Sequence, residues 1–451
     1  MNSEFPTDEG ALETDSKPQV EYKAIVASAA VGGEARLTLG KSALNVFTLF
    51  DIVEIPFARI SALRFENYEV CVEADSGSFV FSRMGQWAEP FYNELLSAYN
   101  KAVLRSLFIK GAPLVTAKGE YQTVEGAQHN SGKAPLQVYE NCVALLPPDL
   151  GARRIPLCFL SGLEKGSFAL TLSLDTEEHY TLAKLGFDTD PFERAIESQL
   201  FALREKALTE VRELDPTLSS VQAAQVASLV LEGVAAPISR LLTLAPSFVA
   251  ALENEIARTH AAEYYQALKE LSDPASMWVG FKKNEAAAGA ATKSDFAALG
   301  DAAALSDAAA LSDAAALNDA APVGDASIDS ATEAPSEPTP EPYAFFFIAP
   351  SPDGNFATIE FSEANSATFV YRVSGSFEHF ARQLNRALEA IDFKREVIRL
   401  SDEELCRSEN ADYYMAAKRT ASLQLVRGQF VGRVIHANPG TWKQKLLSLW
   451  G

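Results

Sequence analysis

The sequence predicts an α+β protein. It comprises tandem antiparallel sheets, each capped by a C-terminal helix, with a helical connector and a disordered acidic linker. Three observations carry this prediction. A strand–helix pattern recurs at an offset of one hundred residues. Residues 203–272 show helical periodicity without strand signals. Residues 286–342 have a composition that cannot build a core. The chain of 451 residues is long enough for two to four domains at roughly 100–200 residues each. With 47% hydrophobic residues it can bury real cores.

The elements follow in order. Residues 1–19 are polar and read as a disordered N-terminus. The first copy, 20–110, contains IPFARISAL from Ile55, the alternating Val70 and Val72, a short strand over 78–82 and a closing glycine, Gly85. The second copy, 111–213, contains IPLCFLSGL from Ile155, then Leu170 and Leu172 in the same phase, a strand over 179–184, and Gly186. Alternation of period two marks a half-buried strand. A helix follows each glycine. Trp87, Phe91, Leu95 and Tyr99 form one apolar stripe, and Phe192, Ile196, Leu200 and Leu203 form the other. Asp190, Pro191 and Glu193 read as N-cap, first helical residue and capping-box partner. Asp188 and Asp190 therefore read as helix-start residues before they read as metal ligands.

Residues 214–275 read as a helical connector, starting at Asp215-Pro216 and resuming at Pro246. The stretch 276–400 reads as a third domain of the same kind, or a small α+β domain, interrupted by the linker 286–342. Its strands are MWVGFKK (277–283) and YAFFFIA (343–349), paired across the linker. GNFATIEF (354–361) and the strand from Phe369 complete the sheet, under a helix marked by Phe377, Phe380, Leu384, Leu388 and Ile391. In the linker, Asp295, Asp301, Asp307, Asp313, Asp319 and Asp325 recur every six residues. No helical face stays apolar at that period. The EAPSEPTPEP that follows is extended and proline-rich.

Charge and motif then limit the function. There are 60 acidic and 39 basic residues, a net charge of −21. A nucleic-acid binder needs clustered Lys and Arg, so none is expected. No apolar run approaches the roughly 18 residues of a spanning helix. The polar start MNSEFPTDEG predicts no secretory signal, and Cys71, Cys142, Cys158 and Cys406 lack metal or disulfide spacing; a cytoplasmic location is expected. Gly40-Lys41-Ser42 lacks the upstream glycine of a phosphate-binding loop, since Ala35 stands there. His129, His179, His260, His379 and His436 are scattered, and no GxSxG is present. No catalytic, cofactor-binding or metal-binding residues are assigned, and no cofactor is expected.

The C-terminal extension, 401–451, departs from the rest. After Asp412 it has no acidic residue, and Lys418, Arg419, Arg427, Arg433, Lys443 and Lys445 make it basic. LQLVRGQFVGRVIH (423–436) reads as a small hairpin around Gly428. TWKQKLLSLW places Trp442 and Trp450 around a leucine cluster. Arg427, Arg433, Trp442, Lys443, Lys445 and Trp450 are the candidate interaction residues. They would dock on the protein's own surface, on an acidic partner, or weakly on an anionic membrane.

The strand–helix order of each copy, carried by IPFARISAL, IPLCFLSGL and the helices near Trp87 and Phe192, resembles the pleckstrin-homology-like superfold. The resemblance covers about 20–213 and extends to 277–395. It implies a bent sheet capped by a helix and a non-catalytic module that binds phosphoinositides, peptides or proteins. The first hairpin, GGEARLTLGKSALNVF, offers only Arg36 and Lys41, which argues against the phosphoinositide. The expectation is a non-enzymatic cytosolic scaffold that binds a protein partner. The alternatives are a peripheral membrane protein using its basic tail, and an enzyme with a site between modules.

Overall fold

The structure, a computed structural model, describes residues 20–283, 343–362, 367–436 and 438–451. The expected disordered N-terminus (1–19) and acidic linker (286–342) lie outside them. The fold is α+β, with three antiparallel sheets accompanied by helices. The chain divides into two compact units. One is 1–199 with 390–424, and the other is 200–389 with 425–451. The stretch 401–451, read above as one extension, is thus shared between them.

In the first unit, seven strands form the first sheet: β1 (Glu21–Ala27), β2 (Gly32–Leu39), β3 (Ala43–Thr48), β4 (Ile52–Pro56), β5 (Ile60–Glu66), β6 (Glu69–Ala74) and β7 (Gly77–Ser82). Their order is β4-β3-β2-β1-β7-β6-β5. In β1, Tyr22, Ala24 and Val26 point inward and alternate with outward residues, as the pleat dictates. Helix α1 (Ala88–Ser106) follows and buries Phe91, Leu95, Tyr99 and Val103 on one stripe. Trp87, expected to lead that stripe, sits on the preceding 3-10 turn and is largely exposed.

A second set repeats the arrangement: β8 (Val115–Glu125), β9 (Gln128–Val138), β10 (Cys142–Leu145), β11 (Arg153–Pro156), β12 (Leu160–Lys165), β13 (Ala169–Leu174) and β14 (Glu178–Ala183). The order β11-β10-β9-β8-β14-β13-β12 is that of the first sheet. Pro56 closes β4 opposite Ala43, and Pro156 closes β11 opposite Cys142. Each precedes a 3-10 turn, Phe57–Arg59 or Leu157–Phe159. IPFARISAL and IPLCFLSGL are therefore not single strands. Proline has no N–H for the ladder, so each sheet edge ends there and the chain turns a corner. Helix α2 (Thr189–Leu214) begins one residue before the expected cap. Asp190 and Glu193 pair instead with Lys165.

The hydrophobic core of the first sheet, with Leu37, Val46, Val72, Phe79 and Phe81 under Phe91 and Leu95, continues into Tyr139, Cys142 and Ala144 of the second set. The Leu63 N–H donates to the Pro148 carbonyl at 2.7 Å, closing the open edge of β5.

The second unit holds a sheet of a different order: β15 (Ala236–Pro237), β16 (Trp278–Lys283), β17 (Tyr343–Pro350), β18 (Phe356–Phe361), β19 (Ala367–Arg372) and β20 (Phe430–Ile435), neighbours in that sequence. Here β16 and β17 pair directly, from Trp278 opposite Ile348 to Lys283 opposite Tyr343. The helix Phe377–Ala390 supplies Phe380, Leu384 and Leu388 to the core, with the Phe380 ring 5.8 Å from Tyr371. The expected 423–436 hairpin is instead the helix Ala421–Gln429 followed by β20, which pairs with β19. Its apolar residues found a better partner in an existing sheet edge than in each other.

The connector helices start differently from the expectation. Asp215 binds Thr217 in a turn, and Ser219 with Gln222 forms the capping box of the helix Ser220–Ala227. That helix buries Ala223, Val226 and Ala227 and exposes Val221.

Candidate interaction site

The basic C-terminal stretch resolves into two structural roles. The first belongs to the helix Ala411–Arg419. Met415, Ala416 and Arg419 share one face of it and are buried. Tyr414 and Lys418, one turn apart, flank that face. The helix lies against α1 and the 3-10 turn Phe57–Arg59. Met415 enters the hydrophobic core of the first sheet.

Asp75, on the turn between β6 and β7, is the polar centre of this contact. Its Oδ2 accepts from the Tyr414 hydroxyl at 2.6 Å, and its Oδ1 from Lys418 Nζ at 2.8 Å. Arg59 Nη1 reaches the same Oδ2 at 3.3 Å, while its guanidinium stacks 4.2 Å from the Tyr414 ring centre. Arg59 Nη2 also donates to the Cys406 carbonyl at 2.6 Å. Burial alone would raise the Asp75 carboxyl, but the Lys418 and Tyr414 hydrogen bonds outweigh it and hold the group below its usual range. Burial works against the charged Lys418 ammonium, and its hydrogen bonds to Asp75 and Tyr414 raise it above its usual value.

A second anchor lies deeper. Arg419 Nη2 donates to the Tyr99 hydroxyl at 2.6 Å, and Nη1 donates to the Met415 carbonyl at 3.2 Å. The Tyr99 hydroxyl faces the Asp149 carbonyl at 3.3 Å. Burial pushes Tyr99 above the ordinary phenol range, with Arg419 opposing. Arg105 pairs with Asp412 at 2.7 Å at the edge. The fit is not complete. Arg419 Nε, Asp412 Oδ1 and Asn100 Oδ1 are buried without a hydrogen-bond partner among the described residues. Such an orphan costs about 1–3 kcal/mol.

The second role lies in the second unit. Trp442 and Trp450, on the helix Pro439–Trp450, are buried, not displayed. Trp442 Nε1 donates to Thr368 Oγ1 at 2.6 Å, and Trp450 Nε1 to Thr358 Oγ1 at 3.0 Å. Lys443 reaches Glu270 at 3.4 Å. Arg427 is half-buried, and Arg433 and Lys445 are exposed. The six candidate residues thus do not form one surface: two of them are core residues, and their tryptophan spacing was a packing signal.

Beneath Trp442 is a buried polar cluster absent from the sequence reading. Glu360 on β18 is fully buried. Its Oε1 lies 2.7 Å from His436 Nε2 and accepts from the Phe361 N–H at 3.0 Å, and Thr368 donates to its Oε2. The His436 ring stacks on Tyr264 with centroids 3.9 Å apart. A glutamate inside the apolar strand FATIEF was the one available signal. In the second sheet, Arg153 Nε spans both oxygens of Glu125 at 2.8 and 3.0 Å, and Tyr180 bonds the same carboxylate at 2.8 Å. Burial disfavours the Arg153 cation, and Glu125 more than restores it. This cluster ties β8, β11 and β14 together.

Among the described residues, no group of three His, Cys, Asp or Glu side chains is placed to hold a metal ion, and no described helix is long and apolar enough to cross a membrane. No protein-family model matches the chain, and no curated protein matches it.

Proposed function

We propose that the chain is a non-enzymatic, cytoplasmic protein-interaction scaffold built on two tandem pleckstrin-homology-like modules, residues 20–110 and 111–213. The common strand order, the 3-10 corner after Pro56 and Pro156, and the C-terminal helices α1 and α2 support the module reading. The third sheet has another order and is read as a small α+β domain.

The observation that carries the interaction reading is the seating of a distant helix on the first module. Asp75, Arg59 and Tyr99 hold Tyr414, Lys418 and Arg419 by side-chain contacts between segments more than three hundred residues apart. A module that receives a helix through one carboxylate, one guanidinium and one phenol has the chemistry of a peptide-receiving surface. The buried Glu360–His436 and Arg153–Glu125 clusters are each satisfied by packed neighbours, which reads as structural bracing of their sheets. The peripheral-membrane reading asks Trp442 and Trp450 to meet lipid, and their burial disfavours it.

The test is proximity labelling in cells with the full chain, followed by reconstitution of each labelled protein with the purified chain. A stoichiometric complex by calorimetry is expected. If no labelled protein forms a binary complex, the scaffold reading falls. Flotation of the chain with vesicles rich in anionic lipid, lost in the Arg433→Glu/Lys445→Glu variant of these exposed residues, would instead support the membrane reading.

A further inference from the structure

We infer that the groove on the first module between α1 and the turn Phe57–Arg59 is a helix-binding site for an external basic amphipathic helix, and that the helix Ala411–Arg419 is its exchangeable internal occupant. This rests on the scaffold reading and adds the site and the chemistry of the partner.

The occupant specifies what the groove accepts. Asp75 takes a phenolic hydroxyl and an ammonium at once, at 2.6 and 2.8 Å. Arg59 offers a guanidinium face to the aromatic ring, 4.2 Å from its centre. The core wall takes one apolar side chain, here Met415. The Tyr99 hydroxyl takes a second cation at 2.6 Å. The fitting ligand is therefore a helix with a tyrosine, an apolar residue beside it, and two cations one turn later. The occupant sets its two cations, Lys418 and Arg419, at its C-terminal end, while Asp412 at its start pairs with Arg105 of α1.

The contact also has the character of an exchangeable one. Only Met415, Ala416 and Arg419 of nine residues are buried. The Asp75 and Lys418 side chains remain about a third exposed, so their pairing is open to water and salt. Three polar atoms of the two facing helices are buried without partners. A nine-residue helix has little stability of its own, so the occupant helix depends on its groove. Of the three, only Asn100 Oδ1 belongs to the groove, and a competing helix that donates to it would bind the same groove better.

The experiment uses the full chain and a fluorescein-labelled synthetic peptide of residues 408–422, with a scrambled peptide as control. The wild-type chain should bind weakly, because its own helix occupies the groove. The variant Lys418→Ala/Arg419→Ala loosens the internal helix but leaves the groove intact. It should bind the peptide at least about tenfold tighter, as expected when the competent fraction rises. Adding Asp75→Asn should abolish that gain. On the wild-type chain, excess peptide should also speed hydrogen exchange of amides 411–419 while the sheet amides stay protected. This second measurement decides the matter if the variant misfolds. Unchanged affinity in a folded variant, or unchanged protection of 411–419 under excess peptide, overturns the inference. A protein partner that binds the full chain equally with and without the peptide would leave the scaffold reading standing while removing this site.

Discussion

Asp75 accepts a hydrogen bond from Lys418 Nζ at 2.8 Å, across 343 residues of chain. This pair, with the Tyr414 hydroxyl on the other carboxylate oxygen, joins the C-terminal segment to the first sheet.

The Asp75 carboxyl is held below its unfolded value, so the sign of its pH effect is fixed. The contribution is fully present above the ordinary carboxylate pKa of about 4 and is lost as pH falls through the lowered folded value. Protection of amides 411–419 should therefore persist from neutrality to about pH 4 and fail below it. Asp75→Asn should weaken protection at neutral pH and remove this acid limb. An identical acid profile in wild type and variant would show that other carboxylates hold the helix.

Trp442→Ala should destabilise the second unit by about 3–5 kcal/mol, because a fully buried indole is lost. Thr368 also loses its Nε1 donor. Trp442→Phe keeps most of the packing and should cost about 1–3 kcal/mol. Denaturant melts followed by exchange at β18 and β19 measure both. A cost below about 1 kcal/mol for the alanine variant would place the tryptophan at a tolerant surface.

Glu360→Ala should cost about 1–3 kcal/mol, the usual penalty when a buried hydrogen-bonding partner is removed. It removes one partner each from the Thr368 hydroxyl, the His436 ring nitrogen and the Phe361 N–H. Thermal melting of the variant beside Glu360→Gln, which keeps an acceptor, is the check. Glutamine should lose less than alanine.

A Cβ at Gly280 would lie 2.2 Å from Phe346 Cε1 and 2.8 Å from the Gly233 carbonyl. The backbone oxygen cannot swing aside as a side chain can. Gly280→Ala should therefore cost about 1–3 kcal/mol by overpacking. Equal melting midpoints of the two proteins would show that the turn Leu231–Gly233 and the Phe346 ring can give way beside β16 at little cost.

Lys283 and Tyr343 are paired residues at adjoining ends of β16 and β17. A loop of about six glycine and serine residues in place of 284–342 should leave the hairpin intact. Shortening the connection tenfold should stabilise it by up to about 2 kcal/mol through closure entropy. Loss of the β16–β17 amide protection in the shortened chain would contradict this.

The sequence by itself determined the local periodicities and their repetition. Ile55-Pro56 and Ile155-Pro156 do occupy matching strand ends, since a side-chain period of two and a missing N–H are properties of the residues themselves. Phe91, Leu95 and Tyr99 do share a buried helix face, as i and i+4 residues must. The pairing of 277–283 with 343–349 was readable because two apolar strands beside a long insertion have no other economical burial. The tertiary structure decided everything that depends on which distant surfaces meet. Trp442 and Trp450 could dock on the protein's own surface or on a partner by sequence alone, and the structure packs them inside the second unit with Thr368 and Thr358 accepting their indole N–H groups. Nothing in the turn around Asp75 marks it as the anchor for Lys418, because a single carboxylate acquires that role only from the cations folding places beside it. Residues 423–436 carried alternation enough for a strand, but whether a strand pairs with its neighbour or with β19 depends on which edge is free, and no local pattern encodes that.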